Sequence, residues 1–430
     1  MPLRLTAADA GFGEAFAAYM AKEREAAADV TAVVAAIIAD VRGRGDAAVV
    51  EYTQKFDRLD VSGGLRIDPD LIAAARDACA AEDIRALEFA AARIRAFHER
   101  QLPEGFSFTD DQGVRLGARW TAVSAAGIYV PGGTAAYPSS VLMNAVPATV
   151  AGVGRIVMAV PTPDGVVNPL VLAAADLAGV GEIYRIGGAQ AVAALAYGTD
   201  TIRPVDKITG PGNAYVAEAK RQVFGAVGID MIAGPSEILV VADADNDPDW
   251  IAADLLSQAE HDVSSQSVLI TDSGALADAV ADAAERILGG LKRGDIARQS
   301  WENHGAIVLV RDLADAVPLI DRIAPEHLEL AVAAPEDLAD RVTHAGAIFL
   351  GRHTPEAIGD YVAGPNHVLP TAQSARFSSG LGVTDFMKRT TLVSCDAASM
   401  AKIGPAAVTL ARAEGLDAHA LSLSVRLGDG

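Results

Sequence analysis

Along the first hundred residues apolar positions recur at helical spacing, as in VTAVVAAIIADVRGRG and ALEFAAARIRAFHERQ, with Glu and Arg between them. This spacing predicts amphipathic helices with one buried stripe and a solvated charged face. From Ala126 the pattern changes. Short β-branched runs, GIYV, RIVMAV, EIYRI and KIT, alternate with Ala-rich stretches such as PLVLAAADLAG and AQAVAALAYG. That alternation predicts βαβ units on a parallel sheet. A second series, EILVVAD, SVLIT, AIVLV, LELA and AIFL, is separated by helices such as WIAADLLSQAEH and ALADAVADAAERIL. Two series predict two sheets with a ligand cleft between them.

After AIFL the periodicity gives way to GPNHVLPTAQSARFSSGLGV, a Gly/Pro/Ser-rich loop of the kind that carries function, and then to a helical tail, AAVTLARAEGLDAHALSLSVRL. The apolar stretch VLMNAVPATVAGVGRIVMAV is broken by Asn144, Pro147 and Arg155, so it reads as a buried helix and a strand and not as a membrane span. The start of the chain lacks the apolar core of a signal peptide, and a cytoplasmic location is expected.

Composition narrows the ligand class. A formal charge of −21 disfavours nucleic acid and anionic lipid, both of which need dense Lys/Arg surfaces. Two cysteines, Cys79 and Cys395, make neither a disulfide framework nor a metal knuckle, so a bound metal would fall to His, Gln or carboxylates.

The dinucleotide fingerprint G-x-G-x-x-G is absent, but a Gly-rich turn follows each of three strands: VPGGTAAYPSS, GGAQA and GPGNAYV. Such turns let a ligand approach backbone closely, or simply serve tight βα connections. In DLLSQAEHD, Gln258 and His261 share one helix face; His is the commonest zinc ligand and Gln an unusual one. Glu326 and His327 in RIAPEHLEL pair a carboxylate with an imidazole suited to proton transfer, or form an ordinary charged helix end. Glu356, Asp360 and His367 surround a turn that cannot stay helical past Gly364-Pro365, and Glu414 and His419 lie five residues apart near the chain end.

Together, IYVPGGTAAYPSSVLMNAVPA, GGAQAVAALAYGT, VDKITGPGNAYVAEAKRQVFG, GIDMIAGPSEILV, DLLSQAEHD, APEHLEL and IGDYVAGPNHVLPT resemble the histidinol dehydrogenase family, from about residue 30 to the C-terminus. Only TAQSARF, where a form nearer TGGTARF is expected, and the additional His304 depart from the pattern, and neither touches a site position.

The resemblance implies a cytoplasmic, intertwined homodimer that oxidises L-histidinol through L-histidinaldehyde to L-histidine with two NAD. It implies zinc held by Gln258, His261, Asp360 and His419, with the metal orienting the amine and imidazole of the substrate. Glu326 and His327 fall on the proton-acceptor positions. Tyr129, Gln190 and Asn213 fall on cofactor contacts, and Ser236 and Glu414 on substrate contacts, as do His327 and the four zinc ligands. The remaining histidines, His98, His304, His344 and His353, are expected to be structural or on the surface.

The fold expected is α/β: two Rossmann-like domains with incomplete parallel sheets, plus small helical N- and C-terminal segments. Residues 1–25 form the N-terminal segment, and 26–128 with 237–378 a larger domain carrying most metal and catalytic residues. Residues 129–236 bind NAD, and the 379–430 tail completes the partner's site. The residues alone also admit a zinc hydrolase, a relative acting on another small polyol, or a two-domain metabolite-binding protein.

Overall fold

The computed structural model describes residues 1–22, 30–132, 137–232 and 234–428. The chain opens with strand β1 (Leu3–Thr6), and a hairpin of β2 (Phe106–Thr109) and β3 (Arg115–Ala122) follows the early helices. Next come β4 (Ala125–Tyr129), β5 (Arg155–Ala159), β6 (Glu182–Tyr184), β7 (Lys207–Thr209) and β8 (Gly228–Ile229). They form a five-stranded parallel sheet in the order β6-β5-β4-β7-β8. The second series supplies β9 (Glu237–Ala242), β10 (Gln266–Thr271), β11 (Ala306–Leu309), β12 (His327–Ala331) and β13 (Ala347–Leu350). With β1 these make a six-stranded parallel sheet, β1-β11-β10-β9-β12-β13. A last strand, β14 (Met387–Ser394), pairs antiparallel with β3.

Each parallel sheet is buried on both faces, and the side-chain period of two sorts its residues. In β4, Ala126 and Ile128 face the helices Ala81–Glu99, Pro138–Val150 and Pro169–Leu177, while Ala125 and Tyr129 face Thr31–Arg44, Gly188–Tyr197 and Ala214–Val223. In β9, Ile238 and Val240 pack under the helices Pro248–Ala259 and Gly274–Leu288, and Leu239 and Val241 pack toward Phe16 and helix Val317–Ile323.

Three features differ from the sequence reading. Leu3–Thr6, expected in a helical segment, adds an edge strand beside β11. The tail expected to be helical begins with β14, which pairs with β3 along eight residues before the helices Ala397–Ala413 and Asp417–Leu427. The helices between residues 31 and 99, grouped by the sequence reading with 237–378, bury their apolar faces on the five-stranded sheet; Val34, Ile38, Leu87 and Ile94 enter its two cores. Among the described residues no helix is long and apolar enough to cross a membrane.

Candidate active site

The catalytic candidates gather at the amino-terminal edge of the six-stranded sheet. Helix Val317–Ile323 ends on Ala324 in the left-handed region (φ 48), and Pro325 then turns the chain so that β12 starts at His327 beside β9. Glu326 accepts the backbone N–H of Glu237 at 2.9 Å through Oε2. His327 Nδ1 lies 2.9 Å from the carbonyl oxygen of Glu237. A carbonyl only accepts, so Nδ1 carries the proton and Nε2 is left with its lone pair, 3.7 Å from Glu356 Oε1. Both side chains are buried. Burial pushes the His327 imidazole down to about 4 and holds the Glu326 carboxyl well above the usual range, the carboxylates of Glu237, Asp360 and Glu356 adding to the latter shift. The product is a neutral imidazole with a bare nitrogen beside a carboxyl of raised basicity.

Glu356 and Asp360 lie one turn apart on helix Glu356–Tyr361 and so share a face. One ligand atom from each of His327, Glu356 and Asp360 falls within a cluster 4.8 Å across. Ser257 Oγ is 3.3 Å from Glu356 Oε2, and burial, then Asp360, raise the Glu356 carboxyl. His367 Nδ1 is 3.1 Å from the carbonyl oxygen of Asp360 and 3.6 Å from its Oδ1; burial pushes this imidazole down as well. Gln258 and His261 come in from the carboxyl end of helix Pro248–Ala259. His261 lies close enough to His327 and His367 to depress both electrostatically.

Gln258 Oε1 and Glu356 Oε1 are buried without a hydrogen-bond partner among the described residues. Orphaned acceptor oxygens are costly unless a cation or donor meets them. With Asp360 and imidazole nitrogens alongside, this donor set fits a divalent ion such as zinc. Of the four residues expected to hold it, Asp360 and His261 both act electrostatically on His327 and His367, and Gln258 stands one turn before His261 at the end of its helix. His419 and Glu414 do not join them within one chain. Both are exposed on the terminal helical hairpin, which packs on itself through Val408, Ala411 and Ala420. Ser236 is half-buried just ahead of β9, its carbonyl accepting Gln266 N–H at 2.9 Å.

The cofactor candidates lie at the carboxyl edge of the five-stranded sheet. Tyr129 ends β4, and its phenol oxygen accepts the Gly188 N–H at 3.1 Å; burial pushes the phenol up to about 12, so it stays neutral. Gln190 is buried with Oε1 unpartnered. Asn213 Oδ1 caps helix Ala214–Val223 by accepting the N–H groups of Tyr215 and Val216 at 3.1 and 3.2 Å, which leaves its amide nitrogen free. A cavity of about 530 Å³ opens beside the first Gly-rich turn, with Phe56, Pro131, Pro161 and Thr162 in its wall. Gly133–Ala136 of that turn lie outside the described residues.

The two edges meet. Tyr137, at the end of the first turn, is close enough to Tyr361 to influence its ionisation. Asn366, next to His367, donates to the Met143 carbonyl at 2.6 Å and lies 3.5 Å from His98 Nε2. His98 is thus buried and structural, as expected, and it braces the loop that carries His367. Glu356 is a member of the metal-capable cluster that was not among the expected metal ligands; its signal in the sequence was its spacing from Asp360 and the turn it shares with His367.

A family model described as histidinol dehydrogenase matches residues 20–427. The chain is 68% identical to the histidinol dehydrogenase of Rhodospirillum rubrum over all of both chains, and 65% identical to that of Ruegeria pomeroyi over 99% of each. Among solved structures, histidinol dehydrogenase from Elizabethkingia anophelis superposes with a TM-score of 0.94 at 36% identity, covering 99% of this chain and 98% of that one.

Proposed function

The chain belongs to the histidinol dehydrogenase family, and we propose that its two facing sheet edges form one site in which zinc positions histidinol and NAD oxidises it twice. It is accordingly an oxidoreductase of histidine biosynthesis. The observation that carries the site assignment is the convergence of the bare Nε2 of His327 with Glu356 and Asp360 inside 4.8 Å.

Gln258, His261 and Asp360 hold the metal from one chain, and His419 completes its shell from a second copy. Bound zinc would fix the amine and imidazole of the substrate, and bound NAD would accept a hydride in each oxidation. His327 Nε2 takes the hydroxyl proton as the first carbon–hydrogen bond breaks. This role suits an imidazole held neutral by burial and oriented by the Glu237 carbonyl. Glu326, whose carboxyl is made more basic by burial, then takes a proton from the water that adds to the aldehyde. The hydrated aldehyde would then give its remaining hydride to a second NAD and a hydroxyl proton to His327, which has released the first, and the acid formed ionises to the carboxylate of histidine. Keeping both bases at one edge spares the aldehyde a journey through solvent.

On the opposite edge, Tyr129, Gln190 and Asn213 contact NAD. The free amide of Asn213 and the unpartnered Gln190 Oε1 support this reading. Ser236 and Glu414 contact the substrate. The exposed hairpin, with Leu410, Leu421 and Val425 uncovered, supports an intertwined homodimer. The free Cys79 and Cys395 fit a reducing cytoplasm.

The test is to supply L-histidinol and NAD to metal-analysed protein. The reading requires about two NADH per histidinol consumed and about one zinc per chain. One NADH per substrate, or full turnover without metal, would overturn it.

A further inference from the structure

We infer that Lys220 and Asp230 are positioning residues for the nicotinamide cofactor: together they grip both backbone polar groups of Gly210 and so set the height of the turn that presents Asn213. The inference rests on the cofactor assignment above.

Lys220 lies on helix Ala214–Val223 and Asp230 just past β8, and they form an ion pair whose side chains are only 4% and 1% exposed. A buried ion pair does little for stability in itself, because removing both charges from water offsets their attraction. Here each partner also binds a single residue. Asp230 Oδ2 accepts the Gly210 N–H at 2.8 Å, and Lys220 Nζ donates to the Gly210 carbonyl at 3.0 Å. Asp230 is itself tied to β7, its N–H donating to the Ile208 carbonyl at 3.2 Å.

Gly210 has φ +113, a conformation open to glycine, and a Cβ there would come within 2.0 Å of the Tyr129 carbonyl oxygen. The gripped peptide is therefore pressed against one proposed cofactor contact, Tyr129, and stands three residues before another, Asn213. The Asn213 cap fixes the far end of the turn. Only Pro211 and Gly212 lie between the clamp and the cap. An apolar pair would fill the same space without holding either polar group of Gly210. A turn released there would shift Asn213 and Tyr129 relative to each other at the edge where the cofactor lies.

The experiment compares Lys220→Met, Lys220→Arg and the double variant Lys220→Met/Asp230→Asn with Asn213→Ala. NADH affinity is read from fluorescence titration, alongside zinc content and KM for each substrate. The double variant leaves no unpaired buried charge and stands in if Lys220→Met does not fold.

The expected result is roughly tenfold weaker NADH binding and a matching rise in KM for NAD, with zinc content and KM for histidinol within about twofold and recovery in Lys220→Arg. If the folded double variant binds NADH like wild type while Asn213→Ala weakens it, the clamp is refuted and the cofactor assignment stands. Unchanged binding in both would overturn the cofactor assignment and the clamp with it. Parallel loss of NADH, histidinol and zinc binding would make the pair a fold determinant and also refute the inference.

Discussion

At the scale of single residues, environment assigns the proton chemistry. Glu237 donates its backbone N–H to Glu326 and accepts from His327 at its carbonyl, so the backbone of one residue orients both proposed bases. His327→Asn can keep the hydrogen bond to the Glu237 carbonyl while removing the bare nitrogen. It should lower kcat by roughly 10²–10⁴-fold with zinc content unchanged, and near-normal kcat in a zinc-replete variant would refute the role. Two residues along β12, buried Glu329 faces Asp254 and Glu356. Burial, then the Asp254 charge, raises its carboxyl from an ordinary 4.5 to about 9. The folded state therefore binds this proton more tightly than the unfolded chain. Its contribution is fully present below about 4.5 and is lost as pH climbs toward 9. Glu329→Gln keeps a neutral donor toward Asp254, so its stability in urea should gain on wild type between pH 5.5 and 9; parallel pH profiles would contradict the assignment. Glu326 and His327 were legible as an adjacent pair. The roles of Glu329 and Lys220 were not, because a Glu in a strand and a Lys in an AEAKR helix read as solvated residues until the chain folds around them.

At the scale of elements, nine of the eleven strands of the two parallel sheets, β4–β7 and β9–β13, were legible because burial on two faces leaves continuous β-branched runs bounded by Gly-rich turns. β1, β2, β3, β8 and β14 were not. LRLT and FSFT have four residues each and are largely exposed, and MKRTTLVS is nearly all exposed. Each is a strand because of its partner: β1 lies beside β11, about three hundred residues away in sequence, and β14 beside β3. Local periodicity carries no record of such pairing. Helix starts, by contrast, are written locally. Asp247 caps helix Pro248–Ala259 by accepting the Asp249 N–H at 2.9 Å, with Pro248 in the first turn. Asp247→Ala should cost about 1 kcal/mol of stability, read from the urea midpoint. Because Gln258 and His261 stand at the other end of the helix, zinc content should be unchanged; a loss of zinc would mean that the whole helix shifts.

At the scale of the molecule, the proposed site joins unlike ends of two sheets. The five-stranded sheet offers its carboxyl edge, as open α/β sheets commonly do, while the six-stranded sheet offers its amino edge, where β12 begins with His327. The carboxyl edge of the second sheet is closed by its own side chains: Asp243 accepts the Ala333 N–H at 2.7 Å and pairs with Arg352, and Asn246 donates to the Ala331 carbonyl at 2.6 Å. A cleft between two α/β units was legible from their alternation, but the choice of edge was not, since it depends on long-range contacts such as Asn366 to the Met143 carbonyl. The tail poses the remaining question of geometry. Glu414 and His419 are exposed on a hairpin that follows β14 and packs on itself through Val408, Ala411 and Ala420. If a second copy receives that hairpin, each site takes His261 from one chain and His419 from the other. His261→Asn and His419→Asn homodimers should then both be nearly inactive. Co-expression of the two variants makes mixed dimers in which one site carries both defects and the other carries none. With random pairing half the dimers are mixed and half their sites are intact, so total activity should recover to about a quarter of wild type, with purified mixed dimers at about half. Absence of recovery in mixed dimers isolated through distinct tags would mean that His419 acts within its own chain.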